Sequence, residues 1–194
     1  GASKFWDTPL DTWYYGPIAY NATEGFMKGY ADASGKLTGS CGPANPTLRI
    51  EALAMDMRLV NIPVGDDDVL STDVPGVPEW GIPIVNGALK AGVEFDWTLR
   101  MDEPITRIES MTLLSHILEG KEYITFPESV DQAAEYKDYA SFEGNADGAL
   151  AVEAMTGLGI VKGSSDGNLY PDANLVRSEF AAMNQRVVNA LGIE

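Results

Sequence analysis

Pro46-Thr-Leu-Arg49-Ile-Glu51-Ala52 is written twice more in this chain, as Pro104-Ile-Thr-Arg107-Ile-Glu109-Ser110 and as Asn174-Leu-Val-Arg177-Ser-Glu179-Phe180. Each Arg-x-Glu opens an apolar stretch at helical spacing: Leu53, Met57 and Val60; Met111, Leu114 and Leu118; Phe180, Met183, Val187 and Leu191. A repeat of this size decides the fold before any local reading does. It also poses a chemical question. Arg is disfavoured at a helix start, where the macrodipole is positive. Three at equivalent positions imply that something negative meets them.

Upstream of each phrase a second helix is predicted. Trp13 and Ile18 have the same interval as Trp80 and Val85, and Ile18 to Gly25 matches Val85 to Gly92 and Val152 to Gly159. Pro17 and Pro83 fall in the first turn, where the missing N–H is harmless. Gly25, Gly92 and Gly159 fit left-handed helix stops. Thr106 and Glu109 form a Thr-x-x-Glu capping box. Leu48 and Val176 cannot, so Thr47 or Asn174 is the expected cap there. The Gly-to-Arg intervals are 24, 15 and 18 residues in repeats 1, 2 and 3. Repeat 1 therefore carries an insertion, placed roughly at 37–42 and including Cys41, and repeat 2 is trimmed. Segments 61–78 and 119–132 read as linkers or short accessory helices. No helix-loop-helix of this length buries its apolar face alone, whereas three together can. The expected fold is all-α, with repeats at 1–61, 62–124 and 125–194 forming one compact domain.

The formal charge is −16 with 45% apolar residues in 194. That acidity argues against nucleic acid and against an anionic membrane surface. No apolar run approaches the roughly 20 residues that span a bilayer. Cys41 has no partner for an internal disulfide. Gly1-Ala2-Ser3 reads as an expression scar, so the chain is expected to be a fragment whose targeting signals lie elsewhere.

In order and spacing these residues resemble the S-layer homology (SLH) domain, over essentially the whole chain. The family pattern is Phe-x-Asp, a Trp opening the first helix, Gly-Ile/Val-x-x-Gly-x-x-Asp-Gly-x-Phe-x-Pro, then Thr-Arg-x-Glu. Repeat 3 matches its later part best, from Gly159-Ile160-Val161-Lys162-Gly163 through Asp166-Gly167 and Pro171 to Arg177-Ser-Glu179. The resemblance implies a pseudo-threefold, three-pronged helical module. It implies a non-catalytic role, anchoring a surface protein to the cell wall by binding an anionic secondary polymer, modally one bearing pyruvylated N-acetylmannosamine. The implied location is the cell surface, with no cofactor, no nucleic acid and no membrane insertion.

By the same resemblance Asp7, Trp13 and Arg49, then Asp73, Trp80 and Arg107, then Asp138 and Arg177 hold the binding positions. The chemistry is coherent. Arg forks a carboxylate bidentately, a helix N-terminus adds free N–H groups, and a Trp stacks on a pyranose face. Repeat 3 has Asp147 where the others have Trp, so a groove using that position is expected to be weak or silent. On this reading Arg49→Ala and Arg107→Ala weaken binding without loss of helix, and Arg177→Ala matters less.

Plainer readings stand beside these. The three Arg can stitch repeats together through nearby acids. The Glu of each pair is expected to support caps or neighbouring loops, because residues two apart on a helix do not face each other. Trp13 and Trp80 suit a core anchor as well as a sugar platform, while Trp6 and Trp97 read as packing residues. His116 reads as a packed or partly exposed side chain, not a catalyst or metal ligand. Asp66-Asp67-Asp68, Asp32 and Asp166 read as solvated acids, since none follows a calcium loop with a terminal Glu. The competing functions are a calcium-dependent assembly module of a surface layer and a glycosidase, for which no motif is present.

Overall fold

The computed structural model describes residues 5–66 and 73–194. Gly1-Ala2-Ser3, Asp67 and Asp68 lie outside them. Six α-helices carry the fold: α1 (Tyr15–Thr23), α2 (Arg49–Leu59), α3 (Ile82–Lys90), α4 (Arg107–Gly120), α5 (Ala146–Gly157) and α6 (Arg177–Leu191). Short 3-10 turns at Glu79–Gly81, Ala133–Glu135 and Tyr139–Ser141 precede α3 and α5. Among the described residues there is no strand, only isolated bridges. The protein is all-α. None of its described helices is long and apolar enough to cross a membrane.

The first helix of each repeat stops as its Gly dictates. Gly25, Gly92 and Gly159 have φ of 80°, 73° and 73°. The N–H of the following residue reaches five positions back: Phe26 to Asn21, Val93 to Ala88, Ile160 to Met155. This double return of N–H groups to the last turn closes the orphan carbonyls. At the second helices, Thr106 Oγ1 accepts from the Glu109 N–H and Glu109 Oε1 accepts from the Thr106 N–H. At Leu48 and Val176 only the returning half exists, to Glu51 and Glu179. The expectation that Thr47 or Asn174 caps there does not hold; Thr47 Oγ1 is buried without a partner among the described residues. Thr106→Ala is therefore expected to cost about 1 kcal/mol in urea unfolding, reducing α4 to the half-cap of its counterparts.

Among the described residues, the close helix pairs do not lie within a repeat. The close pairs are α1 with α6, α2 with α3 and α4 with α5, and α2 also meets α4 and α6. Each second helix thus covers the first helix of the next repeat, and α6 returns to α1. Their contact surfaces are apolar: Leu53 and Met57 on α2, Leu114 and Leu118 on α4, Phe180 and Val187 on α6 are buried in one core.

Backbone bonds at the helix starts follow the same cycle. Thr47 N–H donates to Leu175 O, Leu175 N–H to Ile105 O, and Ile105 N–H to Thr47 O, at 2.8, 3.1 and 2.8 Å. Next to them the N–H groups of Arg49, Arg107 and Arg177 donate to Glu103, Ala173 and Asn45, each at 2.9 Å. Those of Ile50, Ile108 and Ser178 donate to Met101, Pro171 and Pro43. These are the orphan donors of a first turn. They are consumed by the neighbouring repeat, so the first two N–H groups of each of these helices are not free for an external anion.

The repeat 1 insertion is also relocated. Asp7 receives the N–H of Cys41 and Gly42, as Asp138 receives those of Leu169 and Tyr170. Tyr30 N–H donates to Ser40 O as Ser164 N–H donates to Asn168 O. The additional residues therefore form a hairpin between Tyr30 and Ser40. Cys41 lies outside it, buried at the position of Leu169. Burial, with the nearby Asp7 carboxylate, pushes its thiol up to about 12.

Candidate functional site

The three guanidinium groups meet the Glu of the next repeat's Arg-x-Glu. Arg49 Nε and Nη2 donate to Glu109 at 2.8 and 3.1 Å, and Nη1 to Arg100 O at 3.0 Å. Arg107 Nη2 donates to Glu179 at 2.9 Å. Arg177 donates to Glu51 and to Cys41 O and stacks over Tyr30 at 4.6 Å. Each Glu also receives the N–H one residue before its own Arg, so it closes a cap and a joint between repeats at once. Side-chain exposure separates the three: 5% for Arg177, 10% for Arg49, 27% for Arg107. Arg107 alone keeps a buried Nε–H without a partner among the described residues. The negative groups that meet these Arg are in the first place the protein's own.

Open clefts nonetheless lie beside Arg107 and Arg177, and each of these two draws on three repeats. A first cleft of about 480 Å³ holds Trp13 from repeat 1, Arg107 from repeat 2, and Lys162, Gly163, Glu179 and Arg186 from repeat 3. A second, of about 580 Å³, holds Trp80 from repeat 2, Arg177 from repeat 3, and Lys28, Gly29, Glu51 and Arg58 from repeat 1. The correspondence is positional. Lys28 and Lys162 each stand three residues after the helix-stop Gly, and Arg58 and Arg186 each seven after the Glu. Trp13 and Trp80 are 63% and 55% exposed, which excludes the core-anchor reading. Cations and an exposed indole lining the same cleft suit an anionic sugar: charge for the acid, a flat apolar face for the ring. Lys28, Lys162, Arg58 and Arg186 were not singled out in the sequence; their equal offsets were the available signal.

The third cleft, of about 400 Å³, is made of Glu94, Phe95 and Asp96 from repeat 2, Glu109 and His116 of α4, and Asp147 of repeat 3. Asp147 stands where the others have Trp, Phe95 where they have Lys, and His116 where they have Arg. His116 Nε2 lies 2.8 Å from Asp147 Oδ2, Nδ1 lies 3.3 Å from Glu94, and the ring lies 4.8 Å from that of Phe126. His116 is thus packed against Phe126 and partly exposed in the cleft. Both departures noted in the sequence, the trimmed repeat 2 loop and Asp147, fall on this one cleft. Arg177 does not share it; the Arg behind it is Arg49, bonded to Glu109. The expectation that Asp147 affects Arg177 is thus corrected.

Asp7 and Asp138 fasten loops rather than face a cleft. Burial works against the Asp7 charge, but bonds from Ser40 Oγ and the Cys41 and Gly42 N–H groups hold its carboxyl below the usual range. Asp73 is exposed and lines none of the three clefts. Asp32 and Asp166 close their own turns: Asp32 accepts from Ser34 and Lys36, Asp166 from Asn168 and the Tyr170 hydroxyl. Among the described residues no three His, Cys, Asp or Glu side chains are grouped to hold a metal ion. Trp97 packs edge-on to Phe95 as expected, whereas Trp6 is exposed, lying over Gly39. Gly39 has no side chain to shelter it, so the packing reading of Trp6 is overturned.

No curated protein matches the chain. The S-layer homology domain model matches residues 135–181. That segment contains Asp138, Asp147, Lys162, Gly163, Arg177 and Glu179, and so contributes a wall or a joint to every cleft.

Proposed function

We propose that the chain is a non-catalytic carbohydrate-binding module that anchors a surface protein to the cell wall. In this reading it comprises three tandem S-layer homology repeats, 1–61, 62–124 and 125–194, related by a pseudo-threefold axis. The ligand is an anionic secondary wall polymer, and a pyruvylated N-acetylmannosamine unit supplies an acid of suitable size. One observation carries the proposal: the first cleft brings an exposed Trp13 together with Arg107, Lys162 and Arg186. In a chain of charge −16, such a local concentration of cations beside an indole is a recognition feature rather than a solvated face. The second cleft repeats the arrangement around Trp80. The third replaces it with acids and is assigned no polymer.

Wall sacculi with and without their attached polymer provide the test. The protein is expected to sediment with the first and stay in solution with the second. By calorimetry on the purified polymer, Trp13→Ala and Trp80→Ala are each expected to lose about 2 kcal/mol, roughly thirty-fold in Kd, at the cleft affected. Asp147→Ala is expected to leave affinity unchanged. Equal binding to stripped sacculi, or equal loss from Asp147→Ala, would remove the assignment.

A further inference from the structure

The two cation-lined clefts differ in one wall. In the first cleft the loop after the helix stop turns at once, with Gly167 N–H returning to Ser164 O. In the second cleft the same wall is the hairpin between Tyr30 and Ser40. Ala31 bridges Leu37, Thr38 N–H donates to Tyr30 O, and Asp32 ties the tip through Ser34 and Lys36. The hairpin is therefore fastened along its length and not a loose excursion. It brings Ala31, Ala33 and Leu37, with the tip-bound Asp32, to the cleft that already contains Trp80 and, from α2, Ala54 and Met55. Leu37 is 60% exposed. An apolar side chain held by a tied hairpin, in a cleft with an exposed indole, is a surface that water leaves readily once a ligand arrives.

Resting on the binding reading above, we propose that the second cleft is selective for a sugar unit bearing a methyl-terminated acyl group, and that Leu37 determines this selectivity. Lys28 and Arg58, which line the same cleft, fix the anionic end of the ligand by charge. Leu37, Trp80 and the alanines then receive an acyl methyl, ester- or amide-linked, that a shorter loop would leave in water. The first cleft has no such wall and accepts the same acid with or without the acyl group. The two clefts thereby read different substituents along one polymer.

The experiment uses the full chain carrying Trp13→Ala, so that binding reports the second cleft. Its titrants are purified wall polymer, native, treated with mild alkali to remove esters, hydrazine-treated to remove amide acyl groups also, and re-N-acetylated. One of the two treatments is expected to weaken binding about ten-fold, the range of one lost methyl contact. Loss with alkali assigns an ester; loss only with hydrazine, restored by re-N-acetylation, assigns an amide. Leu37→Ser in the same background, which is exposed and leaves the fold intact, is expected to show that ten-fold loss on native polymer and no further loss on treated polymer. Unchanged binding of Leu37→Ser, or a chain indifferent to both treatments, overturns the selectivity while leaving polymer binding in place. Failure of the unmutated chain to bind native polymer overturns the binding reading itself, and the selectivity with it.

Discussion

Replacing Asp56 with Leu is expected to stabilise the protein, by an amount that grows as the pH rises from about 4. Asp56 lies on α2 with no exposed surface, and neither carboxylate oxygen has a partner among the described residues. Burial alone raises its pKa well above the usual carboxylate value. The folded protein therefore holds a proton on Asp56 where the unfolded chain has released it. Between about pH 4 and the folded pKa the unfolded state binds fewer protons, and stability falls by about 1.4 kcal/mol per pH unit through this group. Below pH 4 the group is protonated in both states, and the cost reduces to an unpartnered buried hydroxyl and carbonyl, about 1–3 kcal/mol. Leu removes both contributions. The exchange has a precedent within the chain, since five residues after the Glu stand Asp56, Leu114 and Asn184. Urea unfolding of both proteins at pH 4, 5.5 and 7 checks it. The other acids titrate alike in the two, so the difference between the curves isolates Asp56. Curves that stay parallel would show that Asp56 is ionised or partnered when folded, whatever packing strain Leu introduces.

The helices were legible because their determinants are local. The Gly stops, the Thr106 box and the apolar spacing each act within one element. Partnership between helices was not, because equal repeats fit one another as well as themselves. Nothing in the α1 residues says that they cover α6 rather than α2. The same degeneracy hid the composition of the clefts. Once the cycle is known, Trp13 falls beside Arg107, Trp80 beside Arg177, and Asp147 beside Glu109. The relocated hairpin has a similar origin. Gly-to-Arg intervals count additional residues without placing them, and only the Asp7 and Asp138 bonds align the two loops. The fate of the three Arg followed from the plainer reading, in which an acidic chain supplies their partners. Glu51, Glu109 and Glu179 were legible as caps but not as those partners, because one carboxylate has room for both roles.

Arg177→Ala is expected to cost about 3–5 kcal/mol, several times more than Arg107→Ala. Arg177 is nearly enclosed, and its removal leaves the Glu51 carboxylate, 15% exposed, without its cation and the Cys41 carbonyl without its donor. An uncompensated buried charge is the expensive outcome of breaking such a pair. The pair of Arg107 and Glu179 is 27% and 32% exposed, so water takes over much of what the mutation removes and about 1 kcal/mol is expected. Urea midpoints of the two variants give the comparison directly. Two further variants separate charge from volume. Arg177→Lys is expected to recover little, because one ammonium cannot reach Glu51 and the Cys41 carbonyl in the fork geometry of a guanidinium. Adding Glu51→Gln to Arg177→Ala is expected to return part of the loss, since an amide tolerates isolation better than a carboxylate, though the Leu48 cap weakens. A double variant no better than Arg177→Ala would mean that the cost is lost packing over Tyr30. The position also matters for assembly of the fold. Arg177 and Glu51, with α6 and α1, join the last repeat to the first, a contact closed across 126 residues of chain. The other two pairs join neighbouring repeats across shorter loops, whose closure entropy is smaller. Breaking the long closure therefore removes the joint that the rest of the cycle can least replace.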